Sequence, residues 1–180
     1  RDDYMNTIPP LSYNLCSGQW GGMVIASGSF GNRLVHADVR NGNFGVRIDS
    51  TDTRQLALYV ESSMLRNVVG NVLEATHAKV EVNNSLLYNA GNYVVTVRGG
   101  SYTWRHCTFS NYYSFSWGSR EMPILHYCNT WVDSNGVEQV LPFLSNMYNS
   151  IIYGSYTTEI QYQLHESTPL DAYLFANCLL

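Results

Sequence analysis

Apolar residues come in short runs bounded by Gly, Asn and Ser, with no sustained 3.6-residue period and no capped helical stretch. Runs this short and this rich in β-branched residues predict strands of about three to five residues. One pattern recurs: a polar or small residue, then Ala, Ser or Cys, any residue, an apolar residue, any residue, then Asn or Gly. It reads His36-Ala37-Asp38-Val39-Arg40-Asn41, Ser62-Ser63-Met64-Leu65-Arg66-Asn67 and Asn84-Ser85-Leu86-Leu87-Tyr88-Asn89. It returns as His106-Cys107-Thr108-Phe109-Ser110-Asn111 and Asn149-Ser150-Ile151-Ile152-Tyr153-Gly154, and Asn177-Cys178-Leu179-Leu180 begins another copy. The small residue stands at 37, 63, 85, 107, 150 and 178, in steps of 26, 22, 22, 43 and 28. The 43-residue step reads as one period carrying an insertion.

A second apolar patch precedes the copies: Met23-Val24-Ile25, Val46-Arg47-Ile48, Val72-Leu73-Glu74-Ala75, Val94-Val95-Thr96-Val97 and Ile124-Leu125-His126-Tyr127. Two or three strands per period do not fit a leucine-rich repeat, which has one strand and a different signature. They fit an all-β, single-stranded right-handed parallel β-helix, a solenoid of about six coils of roughly 22 residues with an insertion in the fifth. The expected boundaries are an irregular segment over 1–17 and the solenoid over 18–180. Stacking the copies about 4.8 Å apart gives each position a task. Val39, Leu65, Leu87, Phe109, Ile152 and Leu180 form an inward apolar column. Ala37, Ser63, Ser85, Cys107, Ser150 and Cys178 form a thin inward row. Asn41, Asn67, Asn89 and Asn111 line a corner, since Asn tolerates left-handed backbone and its amide can bond neighbouring coils.

Composition narrows the function classes. The 180 residues carry a net charge of −4, against nucleic-acid or polybasic membrane binding. Charged residues are only 13% of the chain, well below the roughly 25% of ordinary domains, while Tyr and Gly number 14 each. No apolar run approaches the roughly 18 residues of a membrane-spanning helix. The four cysteines lack C-x-x-C spacing, so no zinc, redox or other cofactor site is expected, and buried thiols are. Cys107 and Cys178 fall two coils apart, about 9–10 Å, too far for a disulfide. The chain starts at Arg1-Asp2-Asp3 without Met and stops within a strand-like run, so it is expected to be a piece of a longer protein.

Gly18-Gln19-Trp20-Gly21-Gly22, Gly70-Asn71-Val72-Leu73-Glu74-Ala75-Thr76-His77 and the Asn/His-Ser/Cys-x-apolar ladder resemble the right-handed parallel β-helix repeat proteins of Bacteroidota. The likeness covers residues 18 to 180. It implies a pectate-lyase-like solenoid in a secreted or outer-membrane lipoprotein, placed outside the cell or at the outer-membrane surface. Proteins sharing such a solenoid include pectate lyases, polygalacturonases, adhesins and surface binding proteins. The acidic, metal-binding groove and clustered Asp of the enzymes have no counterpart in this sequence.

Two constellations can carry chemistry. If Ile48, Ala75, Val97 and Tyr127 face inward, alternation puts Arg47, Glu74, Thr96 and His126 in one outward row, with Asp49, Thr76 and Arg98 near the strand ends. A carboxylate, guanidinium and imidazole on neighbouring rungs suit a sugar acid or acid–base chemistry, and equally suit a solvated face with cross-rung ion pairs. The insertion Asn111-Tyr112-Tyr113-Ser114-Phe115-Ser116-Trp117 gathers aromatics that either stack on sugar rings or fold back over the sheet, and Trp131 follows on the next coil. Asp133-Ser134-Asn135-Gly136 reads as a turn and not a calcium loop. His36, His77 and His106 read as corner residues. The leading expectation is a non-catalytic module binding a polysaccharide or a surface protein. Against it stand a polysaccharide lyase or hydrolase acting on an acidic polysaccharide and a purely structural scaffold segment.

Overall fold

The computed structural model describes residues 4–5, 11–115, 118–120 and 122–180. They build a right-handed parallel β-solenoid of about 6 turns, with coils on average roughly 26 residues apart. The 22-residue step holds only between the middle coils, where Leu65 pairs with Leu87 and Leu87 with Phe109. Longer corners in the other coils lift the average.

Each coil presents three faces. The first face stacks Met23–Ile25, Val46–Ile48, the start of Leu73–Asn83, the start of Val95–Arg105, Leu125–Cys128 and Ile160–Gln163, all parallel. The third face stacks Asp38–Arg40, Met64–Val68, Leu86–Ala90, Thr108–Asn111 and Ile151–Gly154, and Leu179 bridges to Ile151. A second face lies between them: Asn32–Val35, Leu58–Glu61, the ends of the two 11-residue strands, Phe143–Tyr148 and Tyr173–Ala176. The expectation of strands no longer than about five residues fails in these two coils. There the first and second faces run together, because the corner is only a bend at His77 (φ 42°) and at Gly99 and Gly100 (φ 58° and 96°). A Cβ on Gly100 would collide with the backbone of Ala78, so the fourth coil needs glycine at this position, whereas the third coil turns through His77 and Ala78.

The repeat letters do the expected jobs. Val39, Leu65, Leu87, Phe109 and Ile152 are buried in one column, and Leu180, at the open end of the prism, is 66% exposed. His36, Ser62, Asn84, His106, Asn149 and Asn177 all adopt positive φ, the left-handed turn from second to third face. Five of the six residues that follow are Ser or Cys with a ladder role. The backbone N–H groups of Ala37, Ser63 and Cys107 donate to the hydroxyls of Ser63, Ser85 and Ser150 one coil on, at 3.0–3.1 Å. Each hydroxyl in turn donates to the carbonyl two residues before it. The Cys107 and Cys178 thiols donate to the matching carbonyls. All four cysteines are free thiols, and burial pushes the Cys107 thiol up to about 11.

At the other end of the third face, Asn41, Asn67 and Asn89 have φ of 63°, 54° and 56°, and Asn67 donates to the Asn41 amide oxygen at 2.7 Å. Asn111, expected to match them, is not left-handed, and its amide instead bonds the Ala90 N–H and carbonyl. Trp104, Tyr102, Tyr127, Phe109 and Met147 fill the interior, and Ser145 takes the Trp104 N–H and donates to the Tyr127 hydroxyl. Solenoid hydrogen bonding begins where Gly18 and Gln19 donate to the carbonyls of Gly42 and Asn41. No helix among the described residues is long and apolar enough to cross a membrane.

Candidate functional site

Strand register aligns Val24, Arg47, Glu74, Thr96, His126 and Gln161 in one outward column of the first face. Inward partners Ile48, Ala75, Val97 and Tyr127 are buried, which forces the alternating residues outward. A parallel outward column carries Thr76, Arg98, Cys128 and Gln163.

The first column is a chain of paired groups. Arg47 lies over the Phe44 ring at 4.4 Å and 3.5 Å from the Glu74 carboxylate, which also accepts from the Asn71 amide at 3.1 Å. His126 stacks on Tyr93 with ring centroids 4.7 Å apart, and the Tyr93 hydroxyl donates to Gln161 at 2.9 Å. The Gln163 amide oxygen 3.3 Å from His126 Nε2 can only accept, so Nε2 carries the proton and Nδ1 accepts from the Thr96 hydroxyl at 3.0 Å. Burial, with the charge of Arg98 as a smaller cause, lowers the His126 pKa below the ordinary histidine value and keeps the ring neutral near pH 7.

Arg98 differs from every other described arginine. The seven others each face a carboxylate or an aromatic ring; Arg98 faces neither. From the second outward column it lines a cleft of about 340 Å³ together with Ser50, Thr76, His77, Trp131 and Leu141. The cleft's far wall is a hairpin, Thr130–Val132 paired antiparallel with Glu138–Val140. Its turn forms as the sequence predicts: Asp133 accepts from the N–H groups of Asn135 and Val137, and Gly136 has φ 77°. Those backbone bonds hold the Asp133 carboxyl below the usual range.

The hairpin's base is fixed by Asn129, buried in the core wall. Its amide donates to the Leu141 carbonyl and the Thr168 hydroxyl and accepts from the His165 N–H. Gly100 donates to the Pro142 carbonyl at 2.7 Å, and the Leu141 side chain packs where a Cβ on Gly99 would stand. The glycine bend of the fourth coil therefore makes room for the hairpin of the fifth.

The aromatic insertion lies elsewhere. Tyr113 folds back, its hydroxyl 2.8 Å from the Ser17 hydroxyl. Tyr112 is exposed on the third face beside Tyr153, ring centroids 5.8 Å apart, and donates to the Gly154 carbonyl. Trp117 lies outside the described residues. The loop returns through buried Arg120, which forms a two-pronged ion pair with Glu159 and lies 4.1 Å from the Tyr156 ring. Arg47, Glu74, Arg98 and His126 thus share one face, whereas Tyr112 lies on the third face beside Tyr153 and Tyr113 packs by Gly91 at the corner between them. Sequence reasoning named Trp131 among the aromatics suited to sugar but missed Leu141, His77 and Ser50, which wall the cleft with it; no local signal ties these positions together. Among the described residues no cluster of three or more His, Cys, Asp or Glu is placed to hold a metal ion.

A scan against protein-family models, a search of curated proteins and a search of solved structures each returned no match.

Proposed function

We propose that this chain is a non-catalytic binding module for polysaccharide, met at an extracellular or outer-membrane surface as in the Bacteroidota β-helix proteins it resembles. The observation that carries the reading is Trp131, 43% exposed on a hairpin that walls off the polar first face. An exposed ring beside a row of Arg, Glu, Thr, His and Gln is what a sugar needs: an apolar platform for its C–H face and fixed partners for its hydroxyls. The row is built to hold and not to react. Glu74 is engaged by Arg47 and Asn71, and His126 is occupied at both nitrogens.

A second reading, a protein partner, is favoured by the exposed Tyr112, Tyr153, Ile151 and Leu179 on the third face. Glycan-array binding with the whole chain separates the two. Binding weakened by Trp131→Ala and by Arg47→Ala supports the sugar reading. Glycan binding lost on Tyr153→Ala and untouched by Trp131→Ala would move the site to the third face. Release of reducing ends or of an unsaturated product would overturn the non-catalytic assignment.

A further inference from the structure

We infer that the cleft between the hairpin and the bend at His77 and Gly99 is a subsite for one carboxylate-bearing sugar residue, with Arg98 as its specificity determinant and Trp131 as its platform. The inference rests on the polysaccharide reading and names the chemistry of one position within it.

The argument begins with charge. In a chain where charged residues are scarce, seven described arginines are neutralised or stacked, and Arg98 alone points its guanidinium at no acceptor. His126, which borders the same small recess as Arg98, has its pKa lowered by burial and so adds no second charge there. Glu74, the row's carboxylate, is occupied by Arg47 across the coil above. A guanidinium presents a planar fork of donors that matches a carboxylate with two parallel hydrogen bonds.

Shape agrees. At about 340 Å³ the cleft is at the small end of the roughly 300–1,000 Å³ range of ligand pockets, which suits a single ring. Trp131 and Leu141 supply apolar wall, while Thr76, Ser50 and His77 supply hydroxyl and imidazole groups at the rim. Arg98 also borders a smaller recess with Glu74, Thr96, His126 and Cys128, so a chain leaving the cleft runs directly onto the outward row.

The test titrates the whole chain with a uronate oligosaccharide, with its methyl-esterified form, and with a sulfated oligosaccharide of equal charge. The acid is expected to bind at least about tenfold tighter than the ester, with affinity falling as salt rises. Arg98→Gln should abolish that preference, weakening the acid far more than the ester, and Trp131→Ala should weaken acid and ester alike. Equal binding of acid and ester by the native chain overturns the subsite and leaves the polysaccharide reading standing. Tighter binding of the sulfated sugar than of the uronate also overturns it. Failure of every saccharide to bind overturns both. An unchanged circular dichroism spectrum and melting temperature for Arg98→Gln excludes unfolding as the cause.

Discussion

The third and fourth coils and the fifth coil use one architecture to opposite ends. In the former pair, first and second faces run together as strands Leu73–Asn83 and Val95–Arg105, joined by a bend of one or two residues. In the fifth coil that bend becomes a hairpin, and the connection from the fourth coil's third face to Leu125–Cys128 carries the short pair Ser114–Phe115 and Gly118–Ser119. The regular coils bury nearly every inward side chain and leave nothing protruding. The interrupted coil supplies the cleft wall, the exposed Trp131 and the buried Arg120–Glu159 pair. A solenoid tolerates this because each coil contacts only its neighbours, so an insertion at a corner leaves the columns intact. Regularity makes the scaffold, and departures from it make the site.

The sharpest way to break this contrast is to hollow a regular coil. Phe109 is fully buried, edge-on to Trp104 at 5.6 Å, and Phe109→Ala should cost about 3–5 kcal/mol in urea unfolding. In the interrupted coil, Arg120→Ala leaves Glu159 buried without its partner and should cost a similar or slightly smaller amount, about 3 kcal/mol. The two should differ in kind: hydrogen exchange should spread through all three faces for Phe109→Ala and stay near residues 112–124 and 155–160 for Arg120→Ala. Uniform loss of protection in both variants would dissolve the distinction between scaffold and excursion.

The hydroxyl ladder comes next. Ser85→Ala removes the acceptor of the Ser63 N–H in a buried position, with an expected loss of about 1–3 kcal/mol. A change below the error of the measurement would show that the ladder is ornamental.

A smaller effect follows from His126. Its pKa is lowered in the folded state, so the unfolded chain binds the proton more readily as pH falls below the ordinary value of about 6.5. Stability should therefore be fully present at neutral pH and decline as pH falls through the window beneath about 6.5, and His126→Gln should flatten that part of the melting-temperature profile. Smallest of all is Trp131→Ala, an exposed change expected to move stability by less than about 0.5 kcal/mol while weakening sugar binding.

Much of this molecule can be read from its letters. The small-residue row, the apolar column and the asparagine corner are fixed by local rules: which residues tolerate positive φ, which alternate inward, which fit a narrow coil. Those rules repeat at Ser63, Ser85 and Ser150, so repetition makes them visible. The outward row of Arg47, Glu74, Thr96 and His126 follows from the same alternation. The second face is harder to see because its inward residues, Leu34, Val60, Val82, Trp104, Met147 and Phe175, share no common size. Alternation in Lys79-Val80-Glu81-Val82 is its trace in the sequence.

By itself, then, the sequence determined the winding of the chain and which columns face in and out, since each depends on a residue's own backbone preference and on a period. Only the tertiary structure decided which arginine stays unpaired and which aromatic shares its cleft. Arg98 and Trp131 belong to different coils, and their meeting depends on a hairpin seated against a glycine bend, a packing event that no periodicity encodes.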